Sequence, residues 1–224
     1  FQILYKYNFT SIINMYGESL NRLKVDNEIS IGNGITVKCV EVIQSIYDGE
    51  LYPEIKNELG KILVLNKRIY KFYENGSLTK NIYVIDLDNF LDMSINDKDS
   101  SERVNYGKIH AFVKGLKWLD KNGALDSNSI SISNCASGQN RANLANTSLF
   151  FYKTIKEELN SGRKLDEIRN ELLNTKYRTI ALIDIFTIFT RIHIGSQVVK
   201  PFKLAYLTCQ TTRFILDNFD KDLD

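Results

Sequence analysis

Histidine, cysteine, proline and net charge are all in short supply in this chain of 224 residues, and most of these shortages narrow what it can do. The two histidines, His110 and His193, sit in separate apolar stretches with no clustered cysteines, so they do not make a zinc site, and no metal or cofactor is expected. Three cysteines, Cys39, Cys135 and Cys209, are odd in number and widely spaced, which argues against a disulfide framework and for a reducing, cytosolic place of action. One thiol stays available for chemistry under any pairing. A formal net charge of +2 makes no case for nucleic acid. The Tyr and Phe residues follow core and sheet spacing, without the basic interleaving of a base-stacking surface. The two prolines, Pro53 and Pro201, carry no functional inference.

Long apolar runs are missing too. The most apolar, Thr179 to Ile194, is interrupted by Asp184 and Arg191 and is too short for a comfortable membrane span, so no transmembrane segment is expected. It reads as a buried helix in which Asp184 pairs with Arg178 or Arg191. The chain opens at Phe1 with no charged segment ahead of an apolar one, so a fragment is expected, with any targeting segment outside it. With 43% hydrophobic and 25% charged residues, one compact domain over 1–224 is the expected organisation.

From Phe1 to about Leu91 the chain leans toward β structure, beginning with the aromatic and aliphatic stretch Phe1 to Phe9. Asn33-Gly34 and Asn75-Gly76 each separate two strand-like runs, the signature of hairpins whose turns need positive φ. Pro53 to Leu59 reads as a short helix. Asp99 and Glu102 resemble a capping box, and Ile109, Phe112, Val113, Leu116 and Leu119 then share one helical face before Asn122-Gly123 stops it. Five further elements follow. Ser129 to Ser133 is a strand, Arg141 to Asn160 a helix, and Lys164 to Asn174, Tyr177 to Ile194 and Phe202 to Phe219 are three more helices.

Chemistry is legible in one stretch, Ser129-Ile-Ser-Ile-Ser-Asn-Cys135-Ala-Ser-Gly-Gln-Asn-Arg141. Alternating Ser and Ile give a half-buried strand, and a loop with one glycine leads into an amphipathic helix. Backbone N–H groups from Ala136 through Ser137, Gly138, Gln139 and Asn140 to Arg141 would make an anion cradle, reinforced by the positive end of the helix dipole. The planar fork of Arg141 suits two phosphate oxygens, and the same field would lower the Cys135 pKa from about 8.5, giving a thiolate able to attack phosphorus. Gly138 fits a backbone that bends tightly beside its ligand. Asn140 is also a favoured residue for capping the helix.

The segment Asn134-Cys135-Ala-Ser-Gly-Gln-Asn-Arg141 resembles the signature loop of the Cys-x5-Arg cysteine-based phosphatases, and within them the Sac-like and bacterial effector phosphoinositide phosphatases. Asn134 and Asn143 are similar to the Sac-type loop, and Ser137-Gly138 to effector-type loops. The likeness spans about fifteen residues, or about thirty with the strand and helix order included. It implies Cys135 as nucleophile, Arg141 as phosphate clamp, and the backbone of Ala136 to Asn140 as cradle. It also implies an α/β fold with a cysteine-phosphatase-like central sheet and flanking helices, β-rich in its first half and α-rich in its second. The implied partner is a phosphoinositide head group at a membrane surface, and an effector role would place the work inside a host cell after secretion from a bacterium.

The loop departs from that pattern in having no lysine, in Asn140 where an Asp is common, and in Ala142 where a hydroxyl residue usually follows the Arg. The rival readings are therefore a phosphoprotein phosphatase and an inactive phosphate-binding relative. For the proton donor to the leaving oxygen, Asp86 and Asp88 at the end of a strand come first, with Asp92 and Asp97 behind them; none has a motif around it. Lys200, in the loop before Pro201 and Lys203, is a candidate for a second phosphate or an anionic surface. Lys108, Lys114 and Lys117 read as a solvated helix face.

Overall fold

In a computed structural model the described residues are 1–14, 26–47, 63–87, 106–134, 140–171 and 211–221. They form an α/β fold, a six-stranded mixed sheet with helices. The chain divides into two compact units. One comprises residues 1–92 and 105–142, and the other residues 93–104 and 143–224.

The first unit holds the sheet, with strand order β2-β3-β4-β5-β1-β6. The strands are β1 (Phe9–Asn14), β2 (Glu28–Gly32), β3 (Ile35–Tyr47), β4 (Leu63–Glu74), β5 (Ser77–Leu87) and β6 (Ile130–Asn134). Strands β2 to β5 form an antiparallel meander, whereas β1 lies parallel to both β5 and β6. Both expected hairpin turns are present. Asn33 and Gly34 have φ of 55° and 72°, and Asn75 and Gly76 have 49° and 82°, the left-handed pair that a two-residue hairpin requires.

On one face of the sheet Val37, Cys39, Tyr70, Phe72, Ile82 and Val84 form a buried cluster. Phe1, Leu4 and Tyr5 pack against it from α1 (Gln2–Lys6) and its leading residue. The β-leaning stretch at the start is thus a short helix followed by a strand. Phe1, Leu4 and Tyr5 recur at helical spacing and turn inward, while Gln2, Ile3 and Lys6 are exposed. From Phe9 the period changes to two, with Ser11 and Ile13 fully buried.

Lys80 of β5 fixes that helix. Its ammonium donates to the carbonyls of Leu4 (2.7 Å), Tyr5 (3.4 Å) and Tyr7, groups left without helical partners where α1 ends. Lys80→Met keeps the stem and removes the donors. It is expected to cost roughly 1–2 kcal/mol in urea unfolding and to speed amide exchange in α1. Burial pushes the Lys80 pKa below its ordinary 10.5. Just below that pH the folded chain therefore binds fewer protons here than the unfolded one, and this group's contribution to stability rises with pH through that window.

The other face carries α2 (Tyr106–Lys121), whose Phe112, Val113, Leu116 and Leu119 are fully buried, as their spacing requires. Helix and strand meet closely at Gly115: a Cβ there would lie 2.9 Å from Ile85 Cδ1. Trp118 stacks edge-on against Tyr83 with ring centroids 5.6 Å apart. Gly115→Val is accordingly expected to overpack this contact and lose about 1–3 kcal/mol of stability by denaturant titration. An unchanged midpoint would mean that α2 can lift from β5 at no cost.

The second unit contains most of α3 (Asn140–Asn160), α4 (Leu165–Glu171) and the helical residues 211–218. Leu144, Ala145, Phe151, Tyr152, Ile155, Ile168, Ile215 and Leu216 are buried in it. Arg163 bridges Glu158 (2.8 Å) and Glu171 (2.7 Å), and Arg169 donates to the Leu216 carbonyl at 2.9 Å. The expected helix 164–174 corresponds to α4. Of the expected helix 202–219 only residues from 211 onward are described, and the expected elements at 53–59 and 177–194 lie outside the described residues.

Candidate functional site

Three parallel strands, β5, β1 and β6, point their carboxyl ends the same way. In open α/β sheets that end is where ligands gather, because the connecting segments diverge there. Strand β6 finishes at Asn134 and α3 begins at Asn140, so the five residues 135–139 join a strand end to a helix start. Asn140 and Arg141 are the first two residues of α3, which begins one residue earlier than its spacing suggested. The positive end of a 21-residue helix therefore follows the loop in the chain. Ala142, in the same first turn, is buried.

Cys135, Ala136, Ser137, Gly138 and Gln139 lie outside the described residues, as do Asp88, Asp92, Asp97, Asp184, His193 and Lys200. Asn140, Arg141, Lys108 and His110 are described by backbone only, and Lys114 and Lys117 are half-buried on α2.

Asp86 is described, and its surroundings are specific. It is the penultimate residue of β5 and is 2% exposed. Asn14, its register partner on β1, donates from Nδ2 to Asp86 Oδ1 at 2.8 Å. The Arg68 guanidinium of β4 stands 3.8 Å from Oδ2. Asn14 is in turn level with Asn134 on β6. Adjacent strands lie about 4.8 Å apart, so the Asp86 and Asn134 backbones are separated by roughly 10 Å. Asp86, Asn14 and Asn134 thus form one row across three strands, and the row ends at the residue before Cys135.

Strand β4 supplies two consecutive cations at this end of the sheet. Lys67 is 4% exposed, with its Nζ 5.9 Å from the centre of the Trp118 ring, an ammonium over an aromatic face. Arg68 lies on the opposite face, and its Nε is buried without a hydrogen-bond partner. Asn14, Lys67 and Arg68 were not singled out by the sequence reading. A signal was present in Leu63-Val-Leu-Asn-Lys-Arg-Ile-Tyr70, where two charges interrupt an apolar strand.

Among the described residues no group of three or more His, Cys, Asp or Glu is placed to hold a metal ion, and no helix is long and apolar enough to cross a membrane. Cys39 is buried and free of any disulfide. Compared with models of known protein families and with curated protein sequences, the chain matches none.

Proposed function

We propose that the chain is a cysteine-dependent phosphomonoester hydrolase acting on a phosphoinositide. The observation that carries the reading is the Cys135-x5-Arg141 spacing set between the carboxyl end of a parallel strand and the start of a long helix. In this reading Cys135 attacks phosphorus and the leaving oxygen takes a proton, giving phosphocysteine. Water then releases orthophosphate and restores the thiolate. Arg141 and the backbone of residues 136–140 hold the three non-bridging oxygens, whose charge is what the reaction must stabilise. Asp86 or Asp88, at the end of β5, supplies the proton. Lys200 meets a second phosphate or the anionic surface on which a lipid substrate lies. The work would be done in a reducing cytosol, in a host cell if the chain is a secreted effector.

The second reading is an inactive phosphate-binding relative, favoured by Asn140 and by the buried Ala142, where no hydroxyl is present to ease departure of the thiolate. A phosphoprotein substrate is the third. Orthophosphate release from a panel of phosphoinositides and phosphopeptides separates them. Release that depends on Cys135 from lipids alone supports the proposal, and Cys135-dependent release from phosphopeptides alone supports the third reading. Phosphoinositide affinity that needs Arg141, with no release from any substrate, supports the second.

A further inference from the structure

We propose that Lys38 and Lys71 form, with Thr36, Tyr73 and Asn81, a binding site for a phosphate monoester. Lys38 of β3 and Lys71 of β4 are register partners, so their side chains leave the same face of the sheet with Cβ atoms about 5 Å apart. Asn81 of β5 is level with Lys71, and Thr36 and Tyr73 are paired one step along the same face. All five side chains are half-buried. The patch is on the face that carries α2, because Tyr83, which meets Trp118, is two residues beyond Asn81 on β5. Asn81 is five residues back along β5 from Asp86, roughly 17 Å from the carboxyl end of the parallel strands, so the inference stands apart from the phosphatase reading.

Like charges set directly opposite each other on a sheet repel, and they cost stability unless an anion answers them. Among the described residues nothing does so. Neither lysine makes an ion pair or a side-chain hydrogen bond there, and Glu28, opposite Lys38 on β2, is exposed and pairs with neither. Asn81 Oδ1 is buried and accepts no hydrogen bond, so the Lys71 ammonium level with it leaves even this acceptor unused. The Thr36 and Tyr73 hydroxyls are likewise without partners among the described residues. The group that fits such a patch brings two charges and several acceptors. A phosphate monoester carries about −1.5 to −2 charges at neutral pH and three free oxygens, enough for charge-assisted bonds from both ammonium groups and another from a hydroxyl or the Asn81 amide nitrogen. A carboxylate or a phosphodiester, with a single charge, would leave one lysine unanswered.

The test titrates glycerol 3-phosphate into the isotope-labelled chain and follows the backbone amides by NMR, which keeps binding here separate from binding at any other place. Saturable shifts are expected at residues 36–38, 71–73 and 81. Lys38→Met and Lys71→Met keep the apolar stem and remove the charge, and each is expected to weaken this binding about tenfold, whereas Lys121→Met, at the exposed end of α2, leaves it unchanged. Without the ligand, both site variants should unfold in urea at the wild-type midpoint or above it, because the repulsion has gone. A second arm measures co-sedimentation with phosphatidylcholine vesicles with and without phosphatidic acid. Binding of the free ester assigns the site to a soluble ligand, and lysine-dependent binding of the phosphatidic acid vesicles alone assigns it to a lipid head group. Absence of both would overturn the inference. So would equal weakening by Lys121→Met, which marks unspecific attraction, or a lowered midpoint in both site variants, which marks ammonium groups already partnered within the protein.

Discussion

On the proposed phosphatase reading, Cys135→Ser is expected to abolish orthophosphate release from every substrate the wild type accepts, a loss of at least about 10³-fold in kcat. The argument is one of protonation. A thiol near an anion cradle and a helix N-terminus can be ionised at neutral pH, whereas a serine hydroxyl in the same place cannot, and no histidine is available nearby in sequence to act as its base. Serine is close to cysteine in size, so the change should leave phosphate binding intact. Retained affinity for a phosphoinositide head group together with lost turnover is the expected pair of results. Arg141→Ala should behave differently, weakening binding and turnover together, because in the proposed reaction its planar fork would hold oxygens in both the ground state and the transition state. Phosphate release that survives Cys135→Ser would sink the mechanism.

Phe72→Ala is expected to have the largest effect on stability, about 3–5 kcal/mol in denaturant titration. Phe72 is fully buried on β4 and centres the cluster beneath α1, with ring centroids 5.6 Å from Tyr5 and 6.4 Å from Phe1. Removing the ring leaves a void bounded by sheet backbone on one side, which cannot collapse to fill it. Domains are typically stable by about 5–15 kcal/mol, so this one change could consume much of the total. Leu78, 50% exposed on β5, is the matching control, and its replacement by alanine should move the midpoint little. Equal effects from the two substitutions would show that the buried cluster is not the centre of stability.

What the sequence made legible was local. Asn33-Gly34 and Asn75-Gly76 specify their turns because few other residues tolerate positive φ, and the α2 stripe can be read because its period recurs over about three turns. The strand before Cys135 and the helix after it were visible for the same reason. The placement of β1 was not visible, since Ser11 meets Ser131 across 120 residues and nothing in either strand names its partner. Asp86 stood out as a polar residue at a strand end. Its burial depends on Asn14 and Arg68, which come from two other strands and have no spacing in common with it.

Strand β1, next to the edge of the sheet, also sets an order of assembly. Strands β2 to β5 are neighbours in sequence and can zip together as hairpins as soon as they leave the ribosome, whereas β1, made before them, must wait for both of its flanks. Its second flank, β6, is synthesised last of the six. The strand leading into Cys135 is thus the final piece of the sheet to dock. A nascent or truncated chain that stops before β6 would carry a sheet with an open parallel edge at β1, a site for chaperone capture or for misplaced strand pairing.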